Sequence, residues 1–277
     1  MKIVSCYYPG PRFPSVSVTG ARCGLECPHC AGLPLSGMLP AETPEALLSL
    51  AGKLSKDGAL GFLLSGGCGN DGVVPLDGFL ESVRAIKNTT RLKINAHVGY
   101  PHREAIDRYA GAGIDTFSVT FPINDKIGKR YLCIDNAMSR YEETVEGFRN
   151  LRAKVVPHVL IGLDDQTEEI EGLSVLASHN PKSLVVIVFT PLKGSPLSNA
   201  PPPTEARIVE TLSFIRSAMR HTNLVLGCMR PRGRIEMEAH LIEELLDGIV
   251  MPGTAALRAV TGKVSLKRYE GCCALYL

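Results

Sequence analysis

The sequence predicts an α/β fold, a (β/α)8 barrel of the TIM type. Three observations carry this. Short β-rich runs alternate with amphipathic helical patterns, the rhythm of βα units on a parallel sheet. There are eight such runs, and 277 residues is a length at which an α/β barrel is one domain. No linker interrupts the rhythm: Asn199-Ala200-Pro201-Pro202-Pro203 is too short and reads as a rigid βα connection. One domain over 1–277, with short N- and C-terminal extensions, is therefore expected. The alternative is an open six-stranded barrel with the last two strands as a C-terminal extension.

The eight runs are 16–20, 61–65, 92–97, 114–120, 155–161, 183–189, 223–228 and 248–251. The first helix has Thr43 as N-cap and Pro44 at N1. Leu47, Leu50, Ala51 and Leu54 form its apolar face. Later helices start near Asp77, Pro101, Asn136, Asp165, Thr204, Arg234 and Thr254.

Composition narrows the function. Hydrophobic residues make up 45% and charged ones 21%, enough for a large core. The net charge of +2 and scattered basic residues give no footprint for nucleic acid. No apolar run reaches the roughly 18 residues of a membrane span. The opening Met1-Lys2-Ile3-Val4-Ser5-Cys6 lacks a signal-peptide apolar region. Nine cysteines in such a chain read as reduced thiols and metal ligands, so a cytoplasmic setting is expected.

The densest chemistry lies in Cys23-Gly24-Leu25-Glu26-Cys27-Pro28-His29-Cys30, spaced CxxxCxxC after the first run. Three thiolates on a short loop can share one metal centre. Four cysteines usually hold a cubane cluster, so three leave one iron open to an exogenous ligand. A structural zinc site using the same cysteines with His29 is the competing reading, but zinc ligands usually come as two separated pairs.

This motif on the loop after a first strand resembles the radical S-adenosylmethionine (SAM) superfamily. The resemblance implies that Cys23, Cys27 and Cys30 hold a [4Fe-4S] cluster whose open iron chelates SAM. It also implies reductive cleavage of SAM to a 5′-deoxyadenosyl radical that abstracts hydrogen from substrate. His29 stands where an aromatic residue often packs near adenine. Ser65-Gly66-Gly67 resembles the family's Gly-Gly-Glu segment, which receives the SAM amino group, with Cys68 where the acid often stands. Asn95 and His97 share one face of their strand, as do Ser118 and Thr120, and each could hold the ribose or carboxylate of SAM or serve the core. Ile161 and Gly162 resemble the strand-five segment that lies against adenine, and Phe189 opens a loop that resembles the biotin-synthase type. His158 faces into the barrel or away from it.

The chain resembles the biotin-synthase-like branch, and within it the archaeal-type two-subunit lipoyl synthases. That likeness implies sulfur insertion into an octanoyl chain on a lipoyl carrier protein, with a second radical SAM subunit and an electron donor such as ferredoxin. It also implies an auxiliary iron–sulfur cluster, for which Cys228, Cys272 and Cys273 are the candidate ligands. Arg230 is expected at the barrel mouth, holding a carboxylate of SAM or substrate, or else pairing with Glu236 or Glu238. A radical SAM enzyme without sulfur insertion is the alternative.

Overall fold

The computed structural model describes residues 1–277. Eleven strands form one sheet: β1 (Ile3–Tyr8), β2 (Ser15–Ser17), β3 (Leu39–Pro40), β4 (Gly61–Ser65), β5 (Lys93–His97), β6 (Thr116–Phe121), β7 (Val155–Ile161), β8 (Ser183–Val188), β9 (Asn223–Leu226), β10 (Gly248–Val250) and β11 (Ser265–Glu270). Their order is β11-β1-β10-β9-β8-β7-β6-β5-β4-β2-β3, and every pairing is parallel. All eight expected strands are present. The ladder ends at β11 and β3, so this TIM-type sheet is curled but open, the partial-barrel form kept as the alternative. β1, β3 and β11 are additional.

The helices are α1 (Pro44–Lys56), α2 (Leu80–Thr89), α3 (Arg103–Ala110), α4 (Asp125–Ile127), α5 (Ala137–Asn150), α6 (Gln166–Ser178), α7 (Glu205–Ala218), α8 (Ile235–His240) and α9 (Thr254–Ala259). Their starts follow cap chemistry. Thr43 accepts from Ala46 N (3.2 Å), Asp165 from Thr167 N (2.8 Å) and Thr204 from Arg207 N (3.2 Å), each satisfying an otherwise orphaned N–H.

Strand alternation divides the interior in two. One face, with Phe62, Ile94, Phe117, Val159, Val186 and Leu224, joins the helices in a core of 58 buried residues. The other face builds a smaller cluster from Tyr7, Val156, Val185, Val225 and Val250. Cys273 and Ala274 complete that cluster, so the chain beyond β11 returns into the curl and floors it. Lys154 Nζ fixes this turn by donating to Leu275 O (2.8 Å).

Candidate active site

The cysteine loop leaves β2 and is fastened by its neighbours. Thr19 Oγ1 donates to Arg22 O (2.8 Å) and accepts from Gly67 N (2.7 Å). Gly24 N donates to Cys68 O (2.6 Å). The turn after β4 thus lies directly on the loop. A Cβ at Gly67 would sit 2.5 Å from Cys23 Cα, so only glycine fits there. From the other side, the π-helical turn Gly128–Leu132 closes over the loop. Cys27 Sγ donates to Leu132 O (3.2 Å), and His29 donates from Nδ1 to Tyr131 O (2.9 Å).

Cys23, Cys27 and Cys30 line one cavity of about 240 Å3, with Gly66, Gly67 and Cys68 opposite. The three thiols share this wall without being drawn into a preformed metal cage. Interaction between the neighbouring Cys27 and Cys30 side chains pulls the Cys30 thiol below its ordinary range and, with burial, pushes Cys27 above it. Burial, with Cys23, Asp71 and Cys30 nearby, pushes the Cys68 thiol up to about 12. Soft sulfur donors on an accessible wall, with a glycine turn facing them, fit an iron–sulfur cluster that keeps one iron open to a ligand.

Thr120 and Tyr100 continue the cavity wall toward the interior of the curl, and Tyr100 Oη donates to Thr120 O (2.7 Å). Thr120 stands opposite His158 in the register of β6 and β7. The interior wall is polar and uncharged. Ser118 Oγ donates to Asn95 Oδ1 (2.9 Å), and Asn95 Nδ2 donates to Cys272 Sγ (3.5 Å). His97 and His158 meet edge to face, ring centroids 5.5 Å apart. Burial drives both imidazoles neutral, lowering His97 to about 3 and His158 to about 4. The vicinal pair behaves like the one above. A hydrogen bond from Cys273 lowers the Cys272 thiol and raises Cys273. Cys228, just past β9, lies close enough for its charge and that of Cys272 to act on one another.

Some expected site residues lie elsewhere. Ser65 is buried, and its carbonyl accepts from Val18 N (2.8 Å). Ile161 packs in the helix-side core, because alternation along β7 turns Leu160 inward instead. Gly162, at φ +87°, faces Pro203, and its N–H goes to Glu169 Oε1 (2.5 Å). Phe189 is buried where its N–H donates to Ile161 O (2.8 Å). Arg230 is engaged by the fold: it pairs with buried Glu238 (2.6 Å) and donates to Gly227 O, Val250 O and Met251 O. The pairing with Glu238 prevails because a buried guanidinium needs a counter-charge. Tyr100 and the Gly128–Leu132 turn were not singled out by the sequence; the aromatic residue following His97-Val98-Gly99 is the one signal that pointed there.

A curled parallel sheet with three cysteines on the loop after β2 defines a class: α/β barrels that hold a cluster at the carboxyl ends of their strands. Residues 17–174 match the Radical SAM superfamily, and the chain belongs to it. It is 24% identical over 262 residues to a biotin synthase of Fusobacterium nucleatum, covering 89% of this chain and 69% of that protein. A biotin synthase of Clostridium acetobutylicum is 25% identical over 138 residues, and there the match spans 50% of this chain and 42% of the relative. Among solved structures, the [FeFe]-hydrogenase maturase HydG has a TM-score of 0.65 at 17% identity, covering 89% of this chain and 56% of that one. Methylornithine synthase (PylB) has a TM-score of 0.61 at 17% identity, covering 87% and 72%. These two likenesses concern the fold. No helix is long and apolar enough to cross a membrane.

Proposed function

We propose that the chain is a sulfur-inserting radical SAM enzyme acting on an unactivated C–H bond, as one subunit of a two-component lipoyl synthase. The observation that carries the radical reading is the convergence of Cys23, Cys27 and Cys30 on one cavity whose wall runs through Thr120 toward the curl's interior. When bound there, the cluster supplies the electron that cleaves SAM. The chain's own residues do the rest. Gly66 and Gly67 offer close backbone approach to the SAM amino group. His29 and Tyr100 shape the cavity. The sheet surrounds the substrate and keeps water from a strong oxidant.

The sulfur-inserting part is supported by the second set of thiols. Cys272, Cys273 and Cys228 lie where a substrate in the curl would be reached, and relatives of this chain are biotin synthases. In this reading they hold an auxiliary cluster, with the neutral His97 and His158 beside it. The substrate is an octanoyl chain on a lipoyl carrier protein, the partner is a second radical SAM subunit, and a ferredoxin-type donor in a reducing cytoplasm supplies electrons. All nine cysteines being free thiols accords with that setting.

The second reading is a radical SAM enzyme without sulfur insertion. Its support is that Cys272 and Cys273 pack with the small apolar cluster that floors the curl, where buried thiols serve as packing. Anaerobic reconstitution separates the two: about eight irons per chain support the first and about four the second. With SAM, reductant, an octanoylated carrier peptide and the partner subunit, the intact protein should yield 5′-deoxyadenosine and thiolated peptide. Cys23→Ala, Cys27→Ala or Cys30→Ala should abolish both products. Cys272→Ala should remove only the thiolated one. 5′-Deoxyadenosine formation that survives loss of Cys27 would rule out either radical reading.

A further inference from the structure

The cavity that holds the trio has a fourth thiol on its wall. Cys68 follows Gly66-Gly67 and is held against the cysteine loop by the Gly24 N to Cys68 O bond (2.6 Å). Gly67, its neighbour, is in steric contact with Cys23 itself. Cys68 packs on the main core on one side and lines the cavity with Cys23 and Cys30 on the other. No hydrogen bond acts on its thiol. By contrast, Cys6 is sealed among helix-side core residues, and Cys133 is exposed.

A carboxylate in this place would bind the SAM ammonium group. A buried thiol is a poor partner for an ammonium but a strong ligand for iron. Three thiolates would leave one iron unsatisfied, and Cys68 is the fourth thiol on the wall of the same cavity.

We propose that Cys68 is an exchangeable fourth ligand of this centre: without SAM it binds the iron that the trio leaves open, and SAM displaces it. The inference rests on the trio holding a cluster. On binding, Cys68 gives up its proton as an Fe–S bond forms. When the SAM amino and carboxylate groups take the position, that bond breaks and the thiolate takes a proton back from water. No electron moves. The exchange would shield the iron between turnovers and weaken apparent SAM affinity by the fraction of enzyme in the thiolate-bound state.

The test compares anaerobically reconstituted full-length protein with Cys68→Ala and with Cys68→Ser, which keeps the volume. Electron paramagnetic resonance of the reduced cluster should differ from wild type in both variants without SAM and coincide with it once SAM is saturating. Cys68→Ala should bind SAM roughly three- to tenfold more tightly. It should also lose an iron to ferricyanide faster than wild type when SAM is absent, and at the same rate when SAM is present. Superimposable SAM-free spectra with unchanged affinity and iron loss would overturn the proposal while leaving the cluster intact. A wild-type protein that takes up no cluster would overturn both readings.

Discussion

At the residue scale, the interior imidazoles offer a direct reading of burial. His97 and His158 titrate near 3 and 4 because desolvation opposes their charge, and each ring faces the other. Both fall below the ordinary histidine value of about 6.5, so the unfolded chain binds more protons between those limits. Stability from these groups is therefore complete above about pH 6.5 and is lost as pH falls toward 4. Urea unfolding of the cluster-free protein should show this decline, on the order of 1–3 kcal/mol per ring. The double variant His97→Gln, His158→Gln should flatten it; an unchanged pH slope would show the rings to be solvated. That these histidines face the interior was not legible in the sequence, since alternation fixes which residues share a face but not which face is inward. The same ambiguity left open the side on which Ile161 lies; the fold places it in the helix-side core. The cysteine trio was legible because its spacing alone brings three donors to one loop. Arg230 was not, because its partner Glu238 lies on α8, and only the fold brings the two together.

At the element scale, β7 and α6 are joined through one carboxylate. Glu169, on the first turn of α6, accepts from Gly162 N (2.5 Å) and Leu163 N (3.1 Å) and pairs with Arg207 on α7 (2.8 Å). Its side chain is 2% exposed, so the pairing acts at low dielectric. Removing it leaves two N–H groups without a partner and the Arg207 guanidinium with only the Asp164 carbonyl and no counter-charge. Glu169→Ala should cost about 3–5 kcal/mol in denaturant unfolding, and Glu169→Gln, which keeps an acceptor, clearly less. Equal losses would mean that the charge carries the interaction and the two backbone bonds add nothing. The eight expected strands were legible because short apolar runs, several of them rich in Val and Ile, recur between amphipathic helical patterns. β11 was not. Ser265-Leu266-Lys267-Arg268-Tyr269-Glu270 is mostly exposed and polar, and it is a strand only because β1 offers a free edge. β3 has two residues and no pattern to read.

At the scale of the whole molecule, an open curl leaves its interior to be finished by something other than strand closure. Here β11 carries the chain past β1, and the following residues turn inward, placing Cys273 and Ala274 against Val156, Val185, Val225 and Val250. One short segment thus fills the floor of the curl and presents Cys272 to Asn95 above it. Stability and the chemistry proposed for the interior are coupled there, whereas the cysteine loop is fastened separately by Thr19, the turn after β4 and the Gly128–Leu132 turn. Removing residues 272–277 should therefore divide the two centres. The loss of buried apolar contacts and of the Lys154 bond should lower the thermal midpoint by about 5–10 °C. Iron bound through the trio, and SAM cleavage, should persist, while iron assigned to the interior and any thiolated product disappear. Calorimetry, iron analysis and 5′-deoxyadenosine formation on the same preparation check this. If SAM cleavage falls in step with the interior iron, the two centres are not independently held and the floor supports the whole sheet.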